Sequence, residues 1–166
     1  MDLFEAIEKR ASVRNLQPAD IPDADLNRIL DAGRRAPSGY NRQPFEFIVI
    51  RDPQSLHQFA LSQACIGDVN TAIAVVADPE ASKYWLEDLS AATENMLLAI
   101  TALGYASVWI EGRILPHEEE LKRMLAVPGK LRLMVVLPVG RATGPVEQKE
   151  KRPLEQVVYR ERYGVR

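Results

Sequence analysis

The sequence predicts an α+β fold, a three-layer α-β-α sandwich, and three observations carry that prediction. Short apolar runs of strand type alternate with segments of helical periodicity along the 166 residues. Two helical segments precede the first strand-like run. The stretch from Arg141 onward turns to glycine, proline and charge while keeping Leu154, Val157, Val158, Tyr159 and Tyr163. A simple doubly wound sheet would begin on a strand, so the pattern favours stacked layers with a trailing arm. Residues 1–166 read as one domain, in which 141–166 form an extended arm with enough apolar residues to dock.

Leu3, Phe4 and Ile7 fall on one side of a short opening helix that ends before Ala11 and delivers Arg10-Ala11-Ser12-Val13-Arg14. Pro22-Asp23 opens a second helix, with Leu26, Ile29, Leu30, Gly33 and Ala36 at helical spacing, and Pro37 stops it. In the loop that follows, Pro37 and Pro44 bracket small polar residues and hold them rigid. Phe45 to Ile50 is rich in aromatic and β-branched residues, as a buried strand requires. Pro53 starts a helix running to about Ala64, and Ala72 to Ala77 is a second buried strand. The helix from about Tyr84 to Leu103 keeps almost no polar face in its second half and needs cover on all sides. A second subunit is favoured for that cover over wrapping by this chain alone. Ser107 to Ile110 reads as a strand and Glu111-Gly112-Arg113 as the turn at its end. Pro116 begins a helix with an acidic first turn, and Leu131 to Gly140 is the last strand.

The charge balance, Lys+Arg 21 against Asp+Glu 23, gives no bulk attraction to nucleic acid. The single cysteine, Cys65, excludes an internal disulfide, fits a reducing compartment and reads as a core residue. No run approaches the roughly 18 apolar residues of a membrane span. The opening Met1-Asp2-Leu3-Phe4-Glu5 is unlike a signal peptide, so a cytoplasmic location is expected, with neither membrane nor nucleic acid as partner. His57 and His117 have no neighbours at metal-ligand spacing, and no metal site is expected. No glycine-rich phosphate loop follows a strand, and no Gly-x-Ser-x-Gly elbow is present. What remains is cationic groups at both ends of the chain, a rigid polar loop and a glycine at a strand end. Arg10, Ser12 and Arg14 suit a phosphate, because guanidinium forks donate paired hydrogen bonds to its oxygens. Taken alone, that segment reads more plainly as a basic helix terminus complementing the helix dipole. Together these features suit an anionic cofactor that carries its own chemistry.

Four motifs follow one another along the chain: Arg-x-Ser-x-Arg at 10–14, Pro-Ser-Gly-x-Asn-x-Gln-Pro-Phe at 37–45, Ser-Val-Trp-Ile-Glu-Gly at 107–112 and Lys-x-Lys-x-Pro-Leu at 149–154. Each is weak alone, but in this order and spacing the chain resembles the FMN-dependent nitroreductase family from end to end. The resemblance implies a central mixed sheet, an arm that reaches the partner subunit, and FMN held at a homodimer interface. It implies that Arg10, Ser12 and Arg14 hold the ribityl chain and phosphate, with Lys149 and Lys151 adding charge and Arg152 able to substitute for one of them. Pro37, Ser38, Gly39 and Asn41 would approach the flavin from the other subunit. Glu111 and Gly112 would present backbone N–H groups toward the flavin N5, so no side-chain acid or base is assigned to catalysis. The implied activity carries electrons from NADH or NADPH through the flavin to a small acceptor, of nitroaromatic or quinone type, by a ping-pong mechanism.

The sequence departs from the family pattern in three places. Phe45 stands where tryptophan is more usual, Gly67-Asp68-Val69-Asn70 offers no lysine for the flavin's pyrimidine end, and Pro79 to Asp88 is too short for the helical insertion that covers the site in longer relatives. Two other readings stay open: a flavin-binding or redox-sensing protein with little turnover, and a flavin-free interaction module on the same fold.

Overall fold

In the computed structural model, which describes residues 1–165, the elements run α1 (Leu3–Lys9), β1 (Leu16–Gln17), α2 (Asp23–Arg34), β2 (Phe45–Ile50), α3 (Pro53–Ala60), β3 (Ala72–Ala77), α4 (Trp85–Ala102), α5 (Glu118–Met124), β4 (Arg132–Pro138) and β5 (Arg141–Ala142). Every residue of β3 is buried, because it lies at the centre of an antiparallel sheet ordered β2-β3-β4 and is covered on both faces. Its alternate residues point to opposite layers. Ile73, Val75 and Ala77 pack with Leu89, Met96 and Ile100 of α4, while Ala72, Ala74 and Val76 join Phe59, Ile66 and Leu121. That alternation makes the three layers. β1 and β5 form a separate antiparallel pair. The β2-β3-β4 sheet is antiparallel throughout, and the one parallel pairing among the described residues is an isolated bridge between Ser12 and Ser107.

Three elements differ from the sequence-based expectation. The helix after Pro53 ends at Ala60, and Ala64–Ile66 form a separate tight turn. That turn folds back so closely that a Cβ on Gly67 would lie 2.9 Å from the Ala60 Cβ. Ser107 to Ile110 is no continuous strand: Ala106 pairs with Gly140 and Ile110 with Val136, both antiparallel. That register sets Val108 opposite Pro138, which has no N–H to donate, so the ladder breaks there. β2, expected as a buried strand, is the edge of the sheet: Phe45 and Ile50 are buried, but Glu46 and Val49 are exposed. On α1, Leu3, Phe4 and Ile7 share an exposed face and Ala6 is the buried residue.

The chain supplies more of the cover for α4 than expected. Met96 and Ile100 are fully buried, α2 approaches so closely that a Cβ on Gly33 would meet Met96 Cγ at 2.8 Å, and no residue from Asn95 to Leu103 is exposed. Half-buried Leu98, Ala99 and Ala102 remain on a groove shared with Leu3, Ala6 and Ala32. No helix among the described residues is long and apolar enough to cross a membrane.

α5 is tied to the sheet by Glu118, which accepts from Arg132 Nε and Nη2 at 2.8 and 2.9 Å and from the Leu133 N–H at 2.9 Å. Burial pushes the Glu118 carboxyl up, but these hydrogen bonds outweigh it and hold the group below its ordinary range. A lowered carboxyl stabilises the fold above that range, and the contribution is lost as pH falls through its folded value. Glu118→Gln is therefore expected to cost about 1–3 kcal/mol at neutral pH and to flatten the acid limb of a stability profile measured by urea unfolding.

Candidate functional site

The strip from Arg10 to Gln17 is held at every step. α1 ends with the Arg10 N–H donating to the Ala6 carbonyl, and the chain then becomes extended. Val13 N–H donates to the Ser107 carbonyl at 2.9 Å, Thr143 N–H donates to the Asn15 carbonyl at 3.0 Å, and Leu16 and Gln17 pair with Ala142 and Arg141. A Cβ on Gly140 would lie 2.5 Å from the Gln17 carbonyl oxygen, an approach only glycine permits. The strip is thus stitched both to Ser107 and to the beginning of the arm.

A cavity of about 490 Å³ opens along it, lined by Ala11 to Asn15 and by Ala142 to Glu147. Ser12 and Arg14 are exposed on its wall. Arg10 does not line it; the half-buried guanidinium lies with Nε 3.4 Å from the Glu94 carboxylate. Gln148 Nε2 donates to the Arg10 carbonyl at 2.8 Å and to the Ile7 carbonyl at 3.0 Å, which pins the arm to the end of α1 one residue before Lys149. Lys149, Lys151 and Arg152 are exposed. Ser107, which pairs with Ser12 on this strip, has a buried Oγ with no hydrogen-bond partner among the described residues, and it does not line the cavity. Cys65 belongs to the core, as expected; burial pushes its thiol up.

At the other motif, Glu111 accepts from Trp109 Nε1 at 2.9 Å, and its carbonyl accepts from Ile114 and Leu115 at 2.7 and 3.1 Å. Those bonds fix the turn and leave the Glu111 and Gly112 N–H groups without a backbone partner among the described residues. A Cβ at Gly112 would meet nothing within 4 Å, so this side of the turn is open.

The polar loop is rigid by a device the prolines do not reveal. Gly39 N–H donates to Asp88 Oδ1 at 2.8 Å, and Gln43 N–H donates to Ser38 Oγ at 3.0 Å. Tyr40, Asn41 and Gln43 have φ of 53°, 56° and 47°, in the left-handed region. Neither Pro37 to Asn41 nor Glu111 and Gly112 line the cavity at Ser12; within one chain, Ser12, Arg14 and the start of the arm are what the fold gathers there. Neither Gln148 nor Asp88 stands out in the sequence, because the backbone groups they bind lie far away in the chain.

With this geometry the chain matches the family model described as Nitroreductase family over residues 7–78 and 60–141. The chain belongs to the nitroreductase family. It is 38% identical over 157 residues to an Archaeoglobus fulgidus protein provisionally named NADH dehydrogenase/NAD(P)H nitroreductase, a match spanning 90% of this chain and 88% of that one. A solved Parabacteroides distasonis protein with the same provisional name superposes with a TM-score of 0.87 at 29% identity, over 95% of this chain and 97% of that one. A Desulfovibrio desulfuricans protein, provisionally named a nitroreductase and solved in complex with FMN, gives 0.83 at 29% identity over 98% of both chains. The likeness to these solved structures accounts for the layered fold.

Proposed function

We propose that this nitroreductase-family protein is a homodimeric FMN oxidoreductase that takes electrons from NADH or NADPH and passes them, in alternating half-reactions, to a small nitroaromatic or quinone acceptor. The observation that supports it most is the cavity in which Ser12 and Arg14 face the start of an arm pinned to Arg10. The donor set fits an anionic, hydroxyl-rich group: the Arg14 guanidinium and the Ser12 hydroxyl are exposed on the wall of one cavity. FMN, when bound, supplies the redox chemistry, with N5 as the atom that receives hydride and returns electrons.

The residues do the rest. Arg10, Ser12 and Arg14 hold ribityl and phosphate, and Lys149, Lys151 and Arg152 add positive charge to the same phosphate. The unpartnered N–H groups of Glu111 and Gly112 face the reactive edge and stabilise negative charge as it develops, with no reorganisation needed. Pro37, Ser38, Gly39 and Asn41 complete the site of the partner subunit. The exposed apolar side chains of α1 and of the arm, Leu3, Phe4, Leu154 and Tyr163 among them, supply apolar surface for such a dimer. One domain with a docking arm from Arg141, in the cytoplasm, completes the reading.

A second reading, a flavin protein with little turnover, is favoured by one feature: only turns separate Asp78 from α4, so no inserted helix covers the site. Anaerobic mixing of holoprotein with NADH or NADPH separates the two. Rapid bleaching followed by recovery on adding a quinone is expected; flavin that stays oxidised under both nicotinamides contradicts turnover.

A further inference from the structure

Asp88 carries a buried carboxylate in the first turn of α4, 5% exposed, with both oxygens engaged. Oδ1 accepts from the Gly39 N–H at 2.8 Å, and Oδ2 accepts from Ser82 Oγ at 2.9 Å, whose oxygen in turn accepts from the Tyr84 N–H at 3.1 Å. No cation pairs with it among the described residues; the positive end of the α4 dipole and these two donors hold the charge. The loop it grips is strained, with three non-glycine residues in the left-handed region, and such a conformation persists only when its surroundings impose it. At Gly39 the contact is tight enough that a Cβ would lie 2.4 Å from Tyr84 Cδ2.

We infer that Asp88 is a positioning residue: it fixes Pro37 to Asn41 in the shape that meets FMN in the partner's site. This rests on the reading of that loop as a flavin contact across the dimer. Asp88 acts through the Gly39 backbone and does not touch the cofactor.

The test is FMN titration of Asp88→Ala, Asp88→Asn and Arg10→Ala, and of mixed dimers of Asp88→Ala with Arg10→Ala. Losing a charge-assisted hydrogen bond to a loop that must stay strained is expected to weaken FMN binding about tenfold to a hundredfold in Asp88→Ala. Asp88→Asn keeps an oxygen for the Gly39 N–H and is expected to recover most of that loss. In mixed dimers, one site has both an intact arginine and an intact loop, so half the sites regain wild-type affinity. A general folding defect in Asp88→Ala would not be repaired this way. Wild-type affinity in Asp88→Ala, or mixed dimers that recover nothing, overturns the proposal alone. Wild-type affinity in Arg10→Ala overturns the flavin reading and this proposal with it. Should Asp88→Ala fail to fold, Ser82→Ala removes one of the two donors, and its affinity is expected to fall about threefold to tenfold; unchanged affinity there also overturns the assignment.

Discussion

Arg10→Ala combined with Lys151→Ala is expected to raise the FMN dissociation constant about a hundredfold or more, while the FMN-free protein melts as wild type does. A hydrogen bond from a cation to a phosphate contributes about 1.5–3 kcal/mol, so losing two exceeds the roughly 2.7 kcal/mol that a hundredfold change represents. The fold loses little. Arg10's ion pair is with half-exposed Glu94, a type of contact worth at most about 1 kcal/mol, and Lys151 is exposed. Fluorescence titration with FMN and thermal unfolding of the same samples measure both halves. Unchanged FMN affinity would remove the phosphate from this end of the site.

Gly140→Ala is expected to be the most destabilising of the glycine substitutions near the site. Its Cβ would meet the Gln17 carbonyl at 2.5 Å and Val69 Cγ1 at 2.8 Å. Backbone on one side and a core side chain on the other leave no cheap movement, and overpacking of this kind costs about 1–3 kcal/mol. In a chain of this size each kcal/mol lowers the melting temperature by about 2–4 °C. Pushing β1 away from β5 also loosens the frame of Ser12 and Arg14, so FMN binding falls with stability. Gly112→Ala is the control, since its Cβ meets nothing: the melting temperature stays put. A Gly140→Ala protein as stable as wild type would mean that the strip yields freely.

What the sequence made legible follows from how locally each feature is encoded. β3 and β4 were readable because strands covered on both faces need nearly unbroken apolar residues, and Ala72 to Ala77 has no other use. β2 showed as a strand from its aromatic and β-branched residues, while its place at the sheet edge, with Glu46 and Val49 exposed, left no local signal. On α1 the shared face of Leu3, Phe4 and Ile7 is readable from its period, but that Ala6 is the residue packing inward within one chain is set by the fold. Pro138 is visible in the sequence, but its effect on Ser107 to Ile110 depends on a register that only the fold sets. β1 and β5 are two residues each, too short for any period to show. Among the site residues, Ser12 and Arg14 lie where a motif directs attention. Asp88 and Gln148 do not, because each acts on a backbone group 49 or 138 residues away and leaves no local signal. The rigid loop was legible as rigid from its prolines, while the clamp that holds it was not.

The most direct test of the whole account is titration of FMN into dialysed, colourless protein, with oligomeric mass measured on the same sample. Saturation at one FMN per chain in a dimer is expected, with dilution to monomer releasing the flavin. A protein that takes up no FMN, or a monomer that holds it at full affinity, would contradict it.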